Sequence, residues 1–178
     1  VAEGYANPDF SVHDKVLLYL NGVCPEIANQ YDRKFTAYDV ATFVINEISN
    51  AQVLGYGDRF NPTQIIILLS EGIAVEKAVA YDKRFTFGDI LPLVRYDVSN
   101  EDASKYGKRF DGYGIVELFK NGISNEEAVK YDKRFASWDI VSFVKAEVGA
   151  EVANGYNAKL DASEIIRLVG EGIGPEVR

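Results

Sequence analysis

The sequence predicts an all-α protein, an α-solenoid or superhelical rod of about seven tandem repeats, each 25 residues long and carrying two helices. Three observations predict it: a tyrosine at constant spacing, a helix-start signal at the same place in each repeat, and apolar residues recurring at helical intervals. Tyrosines fall at 31, 56, 81, 106, 131 and 156, with Tyr5 one residue out of step. The residues after them align: Tyr81 to Phe85 and Tyr131 to Phe135 are identical, and Tyr56 to Phe60 and Tyr106 to Phe110 differ from these only in the middle. The repeats run 5–30, 31–55, 56–80, 81–105, 106–130, 131–155 and 156–178, read together as one domain. The first carries an insertion before Phe10 and the last stops short.

The first helix of each repeat starts at the sixth residue from its tyrosine: Ser11, Thr36, Asn61, Thr86, Asp111, Ala136 or Asp161. The ninth is Asp14, Asp39, Gln64, Asp89, Gly114, Asp139 or Glu164. A short polar side chain followed three residues later by an acid or amide is a capping box, in which each side chain satisfies the other's free backbone N–H. Apolar residues at the tenth, eleventh, thirteenth and fourteenth positions, as in Ile115, Val116, Leu118 and Phe119, give the buried stripe. Gly22, Gly72, Gly122 and Gly172 mark the helix ends in odd repeats. Pro92 falls inside the fourth of these helices and should remove a hydrogen bond or kink it.

A second, shorter helix follows, capped by Ser49, Ser99 or Ser124, with Cys24 at the same place and Pro25 and Pro175 at first helical positions. Its buried side carries Ala28, Val53, Ala78, Ala103, Ala128 and Ala153. The two helices, of roughly three and two turns, are too short to bury their own apolar faces, so neighbouring repeats must stack. Even repeats have Asp32, Asp82 and Asp132 after the tyrosine, and Glu47, Asp97 and Glu147 where odd repeats have glycine. The full period is therefore also readable as a pair of about 50 residues, alternating slightly in geometry.

Composition narrows the function. The chain is 47% apolar and 26% charged, a globular balance. Its longest apolar run, Ile65 to Leu69, is far short of a membrane span, so a soluble protein with no membrane partner is expected. The lack of any Met points to a processed chain or a fragment. A net charge of −8 argues against a surface built throughout to attract phosphate, while leaving room for a local basic stripe.

The material for catalysis and for cofactors is thin. His13 is the one histidine and Cys24 the one cysteine, so imidazole metal sites, His-based triads and disulfide frameworks lack their residues. The ninth-position carboxylates belong to helices about 8 to 10 Å apart, too far for a retaining-type carboxyl pair at roughly 5 Å. Gly55-Tyr-Gly57 and Gly112-Tyr-Gly114 lack the third glycine or Lys-Ser/Thr pair of a phosphate loop and read as turns. Neither a catalytic residue, a cofactor nor a metal is expected.

Two features point to binding. Arg33, Lys34, Arg59, Lys83, Arg84, Lys108, Arg109, Lys133, Arg134 and Lys159 form a basic ladder at the third and fourth positions of the repeat. It complements the ends of the short helices, whose first turns hold Glu26, Glu76, Glu101, Glu126, Glu151 and Glu176, or else it meets an anionic partner such as nucleic acid. The tyrosine series, and the series from Phe10 to Phe135, read as packing between repeats, with the Tyr hydroxyl bonding backbone.

The eighth, twelfth, fifteenth and sixteenth positions lie on one helix face and differ between repeats. There Tyr96, Tyr113 and Trp138 would anchor a protein or extended peptide, and Arg95, Lys120, Lys145 and Arg167 would add charge. The expected function is a non-enzymatic scaffold for such a partner. Nucleic-acid binding through the ladder, or end-to-end self-assembly through the incomplete seventh repeat, are the alternatives.

Overall fold

The structure is a computed structural model that describes residues 4–175. Those residues form thirteen helices and no strand. In chain order they are α1 (Val12–Leu20), α2 (Pro25–Ala28), α3 (Ala37–Ile45), α4 (Asn50–Gly55), α5 (Pro62–Ser70), α6 (Val75–Val79) and α7 (Phe87–Arg95). There follow α8 (Asn100–Lys105), α9 (Gly112–Lys120), α10 (Asn125–Ala128), α11 (Ser137–Lys145), α12 (Ala150–Gly155) and α13 (Ala162–Gly170). Glu176, expected in a helix begun by Pro175, lies outside the described residues. No helix among them is long and apolar enough to cross a membrane.

Each odd-numbered helix is nine residues long, about two and a half turns and shorter than expected. Both ends are fixed by local chemistry. At the start, Ser11, Thr36, Asn61, Thr86, Asp111 and Asp161 accept from the backbone N–H three residues on, with 3.2 Å at Ser11 and 2.7 Å at Asp111. Ala136 has no side chain to do this, and there Asp139 alone closes the start by accepting from the Ala136 N–H at 2.8 Å. At the end, a residue with positive φ turns the chain back so that Val23 N–H reaches Leu18 O at 2.9 Å, and Ile48 N–H reaches Phe43 O at 2.9 Å. Gly22 takes that conformation at φ 74°, and Glu47, Asp97 and Glu147 take it at φ 57°, 54° and 58°. Odd and even repeats thus share one turn, and the expected alternation in geometry is absent at this point.

The tyrosines lock this turn to the start of the repeat. Tyr5, Tyr56, Tyr106 and Tyr131 donate their hydroxyls to the carbonyls of Val23, Ile73, Ile123 and Val148 at 2.7, 2.7, 2.7 and 2.9 Å, and Tyr31 and Tyr156 make the same bond to Ile48 and Ile173. Burial pushes the Tyr56, Tyr106 and Tyr131 hydroxyls above their ordinary pKa, so they stay protonated donors. Phe10, Phe35, Phe60, Phe85, Phe110 and Phe135 and the small residues Ala28, Val53, Ala78, Ala103, Ala128 and Ala153 are buried.

Two expectations need correction. The fourteenth position is not core: Tyr19 and Phe119 are exposed and Val44 and Val94 half-buried, because one residue past the buried thirteenth is a 100° rotation round the helix. Gly112 and Gly114 are not in a turn but in the first turn of α9, where tight packing needs them. Pro92, buried inside α7, has no N–H to offer the helix, and α7 nevertheless runs on to Arg95.

The chain divides into two compact units, Val1–Ala80 and Tyr81–Arg178, at a repeat boundary. In the first, α1 packs on α3. In the second, α7 packs on α9, α9 on α11 and α11 on α13.

Candidate ligand-binding groove

The first five residues of each repeat carry the basic ladder, and its two positions behave differently. Fourth-position cations lie over the ring of the following phenylalanine, at 4.3 Å for Arg84 on Phe85, 5.0 Å for Arg109 on Phe110 and 4.5 Å for Arg134 on Phe135. Their guanidinium groups then reach backbone carbonyls further along the chain. Arg84 donates to Ala103 O at 2.8 Å, and Arg134 to Tyr156 O at 3.0 Å. Arg109 donates to Tyr131 O at 2.8 Å, to Asp132 O at 2.7 Å and also to Phe135 O. Arg84 and Arg134 thus cap the short helix that follows them, not the one they come after, while Arg109 ties down the segment between α10 and α11. Burial pushes the Arg109 guanidinium below its ordinary pKa, partly offset by Asp132.

Third-position lysines are exposed. Lys108 and Lys133 make no ion pair among the described residues. In the other unit the fourth-position Lys34 is held by Asp58 at 2.7 Å and lies over the Phe35 ring.

Lys108 and Lys133 line a groove of about 640 Å³ within residues 81–178, formed where the starts of α7, α9 and α11 come together. Tyr113 and Trp138, the second residues of α9 and α11, are 56% and 59% exposed and line it too. The sequence had placed these aromatics and the ladder on separate features; the fold makes them neighbours. Arg84, Arg109 and Arg134 complete a set of five cations, against two carboxylates, Asp89 and Asp111. Both carboxylates are already engaged as helix caps, with Asp111 accepting from Gly114 N–H and Asp89 from Thr86 and from Gly112 N–H. The Nε of Arg134 is buried with no acceptor.

A second groove, of about 320 Å³, occupies the equivalent place in residues 1–80. Its cations Arg33 and Lys34 face Asp9 and Asp14 in equal number, and no tyrosine or tryptophan lines it. Sequence reading gave no reason to rank one repeat boundary over another. The signal was nonetheless present, since only the boundaries around Tyr113 and Trp138 combine a third-position lysine with an eighth-position aromatic.

Arg95, Tyr96, Lys120, Lys145 and Arg167 are all exposed. Arg95, Lys120 and Lys145, with Tyr96 next to Arg95, sit toward the other end of the long helices from Tyr113 and Trp138, about 11 Å along the axis from an eighth to a fifteenth position, and Arg167, at a twelfth, lies about 6 Å along. There Lys120 lies 4.3 Å over the Tyr96 ring, and Arg167 pairs with Glu171 at 2.8 Å. The expected binding face is therefore continuous in side but split along its length into two clusters.

His13 and Cys24 are exposed and line neither groove. No protein-family model, curated protein or solved structure matches the chain.

Proposed function

We propose that the chain is a non-enzymatic α-solenoid scaffold whose groove in residues 81–178 takes an extended acidic peptide. The observation that carries this is the pairing of exposed Tyr113 and Trp138 with unpaired Lys108 and Lys133 in one groove whose carboxylates are already used as caps. Aromatic side chains supply contact area at low entropic cost, and lysines flanking them select for negative charge. Tyr96 and Lys120, with Arg95, Lys145 and Arg167, would extend the contact along the same side for a longer ligand.

The solenoid reading rests on the recurrence of one two-helix unit, and on the packing within each compact unit of α1 on α3, and of α7 on α9, α9 on α11 and α11 on α13. Removing residues 156–178 should leave the rest folded, because a repeat array loses only one interface. Loss of all helicity in that truncation would refute it.

The groove is tested by titrating the chain with an acidic ten-residue peptide carrying one central aromatic, alongside its counterpart with Glu and Asp replaced by Gln and Asn. The acidic peptide should bind at least about tenfold more tightly, and Lys108→Glu with Lys133→Glu should abolish the difference. Equal affinity for the two peptides, or none for either, overturns the proposal.

A second reading, single-stranded nucleic acid, is favoured by the same aromatic and lysine pair, since bases stack on aromatics above a cationic track. An oligonucleotide whose affinity exceeds that of the acidic peptide, and falls steeply as salt rises, would replace the peptide reading.

A further inference from the structure

The groove in residues 81–178 is one half-site repeated. Lys108 and Lys133 hold the third position of consecutive repeats and Tyr113 and Trp138 the eighth, and all four line the groove. The pattern stops on either side. The repeat before pairs Lys83 with Gly88, which has no side chain, and the repeat after has Ala158 and Ser163 at these positions. A ligand that meets both half-sites must therefore repeat its own chemistry with the step that separates one repeat from the next.

That step is set by the close approach of the helix starts that form the groove. A Cβ on Gly112 would stand 2.4 Å from the Asp89 Cα, which puts the two Cα atoms within about 4 Å of each other, a carbon–carbon bond being about 1.5 Å. Phe87, the counterpart of Gly112, precedes Asp89 by two residues in α7, about 5.5 Å on a helix. Equivalent residues of the two repeats are thus no more than about 9.5 Å apart at this end, in keeping with the roughly 8 to 10 Å between packed helices. The same two positions meet at the next boundary, where a Cβ on Gly114 would lie 3.4 Å from the Ser137 Cβ.

An extended peptide can supply a repeating step in two ways. A β-strand returns to the same face every second residue, about 6.6 Å, or every fourth, about 13 Å. A polyproline II helix has three residues per turn and rises about 3.1 Å per residue, so like side chains recur on one side about every 9.3 Å. The second step matches the groove and the first does not. Exposed Tyr113 and Trp138 also present the aromatic faces on which proline-rich helices of this kind dock.

We infer that the groove reads a peptide in the polyproline II conformation, with acidic residues three apart for Lys108 and Lys133 and prolines between them against Tyr113 and Trp138. This rests on the acidic-peptide function proposed above and adds the conformation and spacing of the ligand.

The test is calorimetric titration of the 178-residue chain with two end-blocked peptides of equal composition, about nine residues long to span three polyproline II turns. Both contain only glutamate and twice as many prolines; one places glutamate at every third residue and the other at every second. A third peptide carries glutamine for glutamate in the first. The three-spaced acidic peptide should bind at least about tenfold more tightly than either of the others. Lys108→Gln or Lys133→Gln, both at exposed positions, should bring its affinity down to that of the two-spaced peptide with the thermal melt unchanged. Equal affinity for the two acidic peptides, or a preference for the two-spaced one, overturns the inference, and leaves the acidic-peptide function standing if both still exceed the glutamine peptide. Acidic peptides that bind no better than the glutamine peptide overturn both. A spacing preference that survives in both lysine variants overturns the inference alone.

Discussion

Gly112 lies directly under the backbone of Asp89. Its N–H donates to Asp89 Oδ1 at 2.7 Å, and a Cβ at position 112 would stand 2.3 Å from the Asp89 carbonyl oxygen. That oxygen belongs to a helix and cannot swing aside, so Gly112→Ala must push α9 away from α7. The expected cost is about 3 kcal/mol, at the upper end of overpacking effects. Gly114→Ala meets only side-chain atoms, Asp111 Oδ1 and Ser137 Oγ at 3.1 Å each and Ser137 Cβ at 3.4 Å, and should cost less. Chemical denaturation of both variants checks the order.

Glu147 holds φ 58° at the end of α11, where odd repeats use glycine. A side chain in the left-handed region costs about 1 kcal/mol that glycine avoids. Glu147→Gly should therefore raise stability by about 0.5 to 1 kcal/mol, despite the added freedom of glycine in the unfolded chain. An unchanged or lower denaturation midpoint would contradict this.

Trp138 and Phe135 are three residues apart and should respond in opposite ways. Phe135 is buried, with its ring edge-on to Phe143 at 4.8 Å, so Phe135→Ala should lose about 3 to 5 kcal/mol of stability. Trp138→Ala should leave the thermal melt in place and weaken binding of the acidic peptide by about 2 kcal/mol. A destabilised Trp138→Ala with unchanged affinity would assign that side chain to the fold.

Asp89 makes part of the stability depend on pH. Burial raises its pKa, but hydrogen bonds from Gly112 N–H and from the Thr86 hydroxyl and N–H, with Arg84 nearby, outweigh this and hold it below the ordinary 3.8. A carboxyl with its folded pKa depressed stabilises the protein fully above the unfolded value, and that contribution fades as pH falls through 3.8 and then through the folded value. Asp14, Asp102 and Asp161 are lowered too, and add to the same acid-side loss. Asp89→Asn should be less stable at pH 7 and lose less between pH 5 and pH 3, as read from urea midpoints.

The long-helix N-caps from Ser11 to Asp161 other than Ala136, the buried tyrosine and phenylalanine series and the absence of strand among the described residues were all legible in the sequence. Each follows from groups within one repeat: a side chain that meets a backbone N–H three residues on, or an apolar period that matches the helix. The position of Gly112 against Asp89, the use of Arg84 and Arg134 to cap the following short helix and of Arg109 to hold the segment before α11, and the meeting of Lys108 and Lys133 with Tyr113 and Trp138 were not. Those relationships join residues that local periodicity does not connect, across distances set by how closely one helix can approach the next. The sequence by itself determined the helices and their order; only the tertiary structure decided which side chains share a groove, because that depends on packing between repeats and not on the chemistry within one.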